Sequence, residues 1–318
     1  MAGDNGSGKT TIIEALHTTA WGRSFRTPCA QDLIADSAHA AAWRIAGSTH
    51  GVSWHYTTQV SAAAKSTIDI SGSTAQSCRS IWADFLVITH SADRHALVAG
   101  APAIRRALLF SSAALGSEGR ELYKKYHAVY KRRLALIKNS RFYDSESDRP
   151  WVTLLWQYGM PLREILKQEL ASIIHTVKKI APFSVEARYL QEDPDFPLAD
   201  MVEHHITEIA PIEYRAKRIL MGPQRDDISI EFDGKNARER ASRGQQRLTA
   251  LALDAALAQH AADRYGHPIL FSVDDFLSDL DQMAQESAWN ILGSLSVQRL
   301  VALLPEEKSS SEWSRIVI

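Results

Sequence analysis

The sequence predicts an α/β fold carrying a helical insertion, and three observations support this. A glycine-rich loop, GDNGSGKT from Gly3 to Thr10, leads straight into a helical pattern. An apolar run from Ile269 to Val273 ends in two adjacent acids, Asp274 and Asp275. Between these, residues 104–180 read as helix with few interruptions. The 318 residues are 45% hydrophobic and 23% charged, with 36 Lys and Arg against 37 Asp and Glu, which fits a globular chain and excludes disordered, collagen-like and disulfide-scaffold classes. A net charge of −1 gives no overall attraction to nucleic acid, so any anionic partner needs a local patch.

The loop satisfies G-x4-G-K-[ST], the pattern of a phosphate cradle. Gly3, Gly6 and Gly8 allow the backbone to curl around phosphates, Lys9 has the reach for the β and γ oxygens, and the Thr10 hydroxyl suits a Mg2+ shell. Ile12, Ile13, Ala15, Leu16 and Ala20 follow at helical spacing, so a helix N-terminus would aim its N–H groups at the anion. Such a loop joins a core strand to a helix, yet only Met1 and Ala2 precede Gly3. The first strand is therefore expected to be missing, through truncation or a start assigned late.

Residues 41–90 hold AAWRIAG, VSWHYTTQV and STIDIS, expected as antiparallel strands, then Phe85 to Thr89 as a buried strand. Helix follows from Ile104. From Arg120 to Arg141, Tyr123, Tyr126, Tyr130, Leu134 and Ile137 make one apolar stripe, expected to pack as core. The same segment holds eight Lys and Arg against one Glu, a local charge of +7. This is the patch the composition hid, and Lys124, Lys125, Lys131, Arg132 and Arg133 are the candidates for DNA contact. A second helix, from about Pro161 to Ile180, repeats the spacing with Leu162, Leu166, Leu170, Ile173, Val177 and Ile180, and should pair antiparallel with the first.

In the last third, Ser242 is placed to cap a strongly apolar helix. Ile269 to Val273 reads as a buried parallel strand, whose C-terminal end is where an α/β sheet presents its chemistry. There Asp274 suits a metal shell and Asp275 suits orienting or deprotonating a water. Cys29 and Cys78 are too few for an all-cysteine zinc site and are expected as free buried thiols. No run is long enough to span a bilayer and no signal peptide is evident, so a cytoplasmic location without a membrane partner is expected.

Taken in order, GDNGSGKT, GRSFRT (Gly22 to Thr27), LVAGAPAIRR (Leu97 to Arg106), GPQRDD (Gly222 to Asp227), SRGQQ (Ser242 to Gln246) and VDDFLSDLD (Val273 to Asp281) resemble the RecF family of bacterial recombination mediators. The resemblance implies an ABC-type ATPase head, residues 1–103 and 181–318, with 104–180 as an inserted lobe that helps clasp DNA. It implies ATP and Mg2+ as cofactors, an ATP-dependent homodimer, gapped DNA with single-strand/double-strand junctions, other recombination mediator proteins as partners, and a part in the SOS response. Gly3, Asn5, Gly6, Ser7, Gly8, Lys9, Thr10 and Thr11 would hold nucleotide, Thr10 and Asp274 the metal, and Asp275 would be catalytic. Ser242, Gly244 and Gln245 would address the nucleotide of the opposite subunit, with Asp281 on the loop crossing that interface. The family's pattern differs at Gln224, where it has a histidine, and in placing a histidine after the second metal motif, whereas the last one here is His267. A second reading is a DNA-binding or interaction module that has lost ATPase activity with its first strand; long-armed relatives with a zinc hook are excluded by the absence of Cys-x-x-Cys.

Overall fold

The computed structural model describes residues 1–35, 38–61, 67–72, 80–275, 277, 280–305, 313, 314 and 316–318. Along the chain come α1 (Lys9–Trp21), β1 (Ala40–Thr49), β2 (Val52–Ser61), β3 (Thr67–Gly72), β4 (Leu86–His90), α2 (Ala96–Ala99), α3 (Pro102–Leu115), α4 (Ser117–Asn139) and α5 (Ser145–Ile180). Then follow β5 (Val185–Leu190), α6 (Leu198–His204), a π-helical turn (His205–Ile209), α7 (Ala210–Ala216), β6 (Asp227–Phe232), β7 (Lys235–Asn236), α8 (Ala237–Arg240), α9 (Arg243–Tyr265), β8 (Ile269–Val273), α10 (Gln282–Gly293) and β9 (Gln298–Val301).

These elements form two compact units. The first holds Met1–His95, Thr176–Pro182 and Ser242–Ile318; the second holds Ala96–His175 and Phe183–Ala241. In the first unit, β8 lies between β4 and β9 in a parallel sheet, and all five of its residues are buried. A strand covered on both faces must be apolar throughout, which is why ILFSV was legible. Helices α1 and α9 pack on this sheet, while β1, β2 and β3 pair antiparallel beside α1. Trp54, Tyr56, Ile81, Phe85, Val87 and Leu270 form a core that joins the two sheets.

Ala2 forms parallel bridges with Leu303 and with Val317, and the Met1 ammonium donates to the Val301 carbonyl. Two residues thus stand beside β9 where a strand would lead into the glycine loop. Residues near the end of the sequence pair there too: Ala2 N–H donates to the Ile316 carbonyl and Ile318 N–H to that of Ala2.

The second unit is larger than the expected 104–180 lobe. Segment 183–241, assigned from the sequence to the head, packs with the helices instead, because β5 and β6 pair antiparallel and the acids at the start of β6 find their partners on α3 and α5. Helix α5 also begins well before Pro161 and runs through Pro150 and Pro161. Asp144 starts it by accepting from the Glu146 N–H, and buried Val152, Leu155 and Trp156 extend the apolar stripe backwards, so packing outweighs the two prolines. Antiparallel pairing of α4 with α5 is evident from Arg133 meeting Asp148 while Gly159 abuts Tyr126. Cys29 is exposed, contrary to the expected buried thiol, since its segment is a short surface turn; Cys78 lies outside the described residues.

Candidate functional site

The glycine loop takes the conformation its composition demands. Gly6 and Gly8 have φ of 83° and 97°, left-handed values that a side chain would strain, and α1 starts immediately after. Lys9 folds back over the loop, with Nζ 2.5 Å from the Gly3 carbonyl and 2.8 Å from that of Asp4. The Ser7 hydroxyl is buried without a hydrogen-bond partner. An orphaned donor, a lysine held only by carbonyls and a helix N-terminus converge on one concavity, which fits phosphate oxygens.

Asp274 is brought to this loop by β8. Thr10 Oγ1 donates to Asp274 Oδ1 at 3.1 Å, across a separation of 264 residues, and the Asp274 N–H is anchored by the His90 carbonyl at the end of β4. Burial raises the Asp274 pKa; the Asp275 charge adds to this, while the Thr10 hydrogen bond and the positive charges of Arg26 and Lys9 oppose it. A carboxylate whose charge is disfavoured in this way gains from an added cation. Thr10 and Asp274 therefore fit a Mg2+ ion, with nucleotide phosphates supplying further oxygens. Among the described residues no group of three His, Cys, Asp or Glu side chains converges as a metal cage. Asp275 is exposed and left-handed at φ 49°, and its carbonyl accepts from Arg247 on α9. Asn5 and Thr11 are exposed at the rim.

Ser242, Gly244 and Gln245 stand at the N-terminus of α9. Ser242 Oγ accepts from the Gln245 N–H and the Gln245 side chain accepts from the Ser242 N–H, a full capping box, so the expected cap is present. A Cβ on Gly244 would meet only ordinary contacts, so close packing within the chain does not require glycine there. Asp281, expected on an interface loop, caps α10 by accepting from the Ala284 N–H; Phe276, Ser278 and Asp279 of the same motif lie outside the described residues.

The basic helix divides. Lys124, Lys125, Lys131 and Arg132 are exposed, whereas Arg133 is fully buried and cannot meet DNA. Its guanidinium pairs with Asp148 Oδ2 at 2.7 Å and Glu213 Oε2 at 2.6 Å, and it sits on the same side of α4 as Tyr126 and Ile137. Two other motifs also prove structural. Arg105 makes a two-pronged pair with Asp227 at 2.8 and 2.9 Å, and Arg163 binds both Asp226 and Asp193. GPQRDD and LVAGAPAIRR are thus two halves of one clasp in the second unit. Gln224 accepts from the Tyr126 hydroxyl in that clasp. Sequence reasoning also missed Asp254, buried on α9 and bound by His90 and Arg94; its one signal was an acid inside the apolar run from Leu248 to Ala258.

No family model matches the chain. Curated relatives named "DNA replication and repair protein RecF" align over nearly all of it. That of Stenotrophomonas maltophilia is 29% identical over 313 residues, 90% of this chain and 80% of the relative; that of Prosthecochloris aestuarii is 26% identical, covering 89% and 81%. The protein of Pseudomonas paraeruginosa is 25% identical over 98% of this chain and 86% of its own. Over nearly its full length the chain is similar to proteins of the RecF family. Its fold agrees: a structure described as the recombination mediator protein RecF-ATP in the RecFOR pathway superposes with a TM-score of 0.81 at 19% identity, covering 98% of this chain and 86% of that one. A second, RecF-ATPrS, gives 0.78 over 100% and 88%. Similarity to the RecF proteins accounts for the order of the six motifs, and the fold is the expected α/β fold with a helical lobe. No helix among the described residues is long and apolar enough to cross a membrane.

Proposed function

We propose that this chain is an ATP-dependent DNA-binding protein of recombinational repair and replication restart. It dimerises on ATP, holds gapped DNA at single-strand/double-strand junctions, works with other recombination mediator proteins, and hydrolyses ATP slowly to let go. The observation that carries this reading is the 3.1 Å contact of Thr10 with Asp274, which sets a hydroxyl and a carboxylate at the mouth of the glycine loop with Asp275 adjacent. When bound, Mg2+ supplies positive charge against the phosphates, with Thr10 and Asp274 as its protein ligands. Lys9 leaves the Gly3 and Asp4 carbonyls to pair with the β and γ oxygens, and the α1 N-terminus holds the remaining charge. Asp275 orients the attacking water and takes its proton. The exposed α9 N-terminus, with Ser242, Gly244 and Gln245, suits the γ-phosphate held by a second copy. On α4, Lys124, Lys125, Lys131 and Arg132 supply sequence-independent phosphate contacts.

The test compares the wild type with Lys9→Arg and Asp275→Asn for ATP-dependent dimerisation by light scattering and for retention of gapped DNA. Lys9→Arg is expected to lose both; if both persist unchanged, the glycine loop is not the switch. Asp275→Asn is expected to dimerise and retain DNA while hydrolysis falls by about a hundredfold or more.

A further inference from the structure

Helix α4 has a face that neither its core packing nor its phosphate contacts explain. At about 100° per residue, Tyr126, Val129, Arg133 and Ile137 form its buried side. Tyr123, His127 and Tyr130 lie together within about 60° of arc on a flank of that side, and Arg120, Lys124, Lys131 and Lys138 occupy the next 40° or so toward solvent. The three rings are only half-buried, unlike Tyr126. They are nearly parallel: Tyr123 and His127 have centroids 5.5 Å apart at 13°, and His127 and Tyr130 6.4 Å apart at 5°. Tyr123 is also propped against Phe110 of α3, at 5.2 Å. The His127 pKa is lowered by partial burial and then by the Lys131 charge, so the ring is neutral at physiological pH.

We propose that Tyr123, His127 and Tyr130 form a stacking row for the unpaired bases of single-stranded DNA, with Arg120, Lys124, Lys131 and Lys138 holding its phosphates. Cations alone bind any polyanion, duplex or single-stranded. Half-exposed aromatic rings add affinity only where bases are free to leave their own stack. A row of four cations beside the rings selects a polyanion over a protein surface as the occupant. The inference deepens the DNA-binding reading and rests on it. It also revises the expectation that the whole tyrosine stripe is core: Tyr126 and Ile137 are, while Tyr123 and Tyr130 are not fully covered.

The experiment measures binding of the full chain, with ATP, to an oligodeoxythymidine and to an abasic strand of equal length at one salt concentration. The phosphates are the same and only the bases differ. The thymidine strand is expected to bind about tenfold tighter or more. Tyr123→Leu with Tyr130→Leu, which keeps apolar contact with Phe110 and Tyr126, is expected to reduce thymidine affinity to the abasic level and leave abasic affinity unchanged. Lys131→Ala is expected to weaken both strands alike and lower the salt slope by about one. Equal binding of the two strands by the wild type, or equal losses in the leucine variant, overturns the stacking row. If that variant melts early, the wild-type comparison decides alone. Binding of neither strand overturns the DNA-binding reading itself.

Discussion

Two clusters, one in each unit, treat charge in opposite ways. In the first, the loop and the end of β8 hold charged and polar groups whose bonding is incomplete: Lys9 rests on backbone carbonyls, the Ser7 hydroxyl has no hydrogen-bond partner, and Asp274 is buried beside a second acid. In the second, charges are closed on one another. Arg133, Asp148, Glu213 and His205 are all fully buried; His205 Nε2 meets Glu213 at 3.0 Å, and its Nδ1 accepts from the Trp156 indole N–H. One region is arranged for something that arrives, the other for holding helices together.

The comparison is broken most directly at Arg133. Arg133→Ala leaves Asp148 and Glu213 buried without their cation and should cost about 3–5 kcal/mol, read as a large drop in melting temperature by circular dichroism. Lys131→Ala and Arg132→Ala, on the exposed side, should stay within about 0.5 kcal/mol of wild type. If Arg133→Ala instead melts normally and loses only DNA affinity, the division of the basic helix is mistaken.

Acid tests the same cluster. Burial disfavours the Glu213 carboxylate, but the hydrogen bond and charge of His205, the Arg133 charge and the Leu220 N–H more than offset it, holding its pKa at about 2 from an ordinary 4.5. A depressed folded-state pKa gives stability that is present above 4.5 and lost as pH falls toward 2. The melting temperature should fall through that window, and Glu213→Gln should start lower and vary less with pH.

In the first unit, ligand rather than mutation should stabilise. ATP at a hundred times its dissociation constant should add about 2.7 kcal/mol, seen as a rise in melting temperature, and Lys9→Ala should abolish the rise while leaving the unliganded melt intact. A smaller effect than that of ATP is expected at Ser242→Ala, which removes one capping bond worth about 1 kcal/mol. Loss of ATP-dependent dimerisation out of proportion to that small destabilisation would mark Ser242 as a contact to the second copy.

What was legible in the sequence was local. Glycines at fixed spacing, five apolar residues ahead of two acids, and a serine three positions before a glutamine each encode their geometry within a few residues. Arg133 was misread because its partners, Asp148 and Glu213, lie on other elements and no spacing rule connects them. The same holds for Arg105 with Asp227 and Arg163 with Asp226, where two motifs that point to the family serve the lobe rather than the nucleotide loop. Segment 183–241 was assigned to the head because chain order suggests it; only the pairs of Asp227 with Arg105 and of Asp226 with Arg163 reveal that it returns to the helices.

The pairing of Ala2 with both Leu303 and Val317 bears on the order of assembly. The glycine loop lies 264 residues ahead of the carboxylate that meets Thr10, so it is synthesised well before the strands that steady its base. Until β8 and β9 leave the ribosome, the loop lacks the sheet that steadies it, while the contacts of α3 with α4 can already form. On this order the nascent chain has its basic helix before its glycine loop is steadied by a sheet.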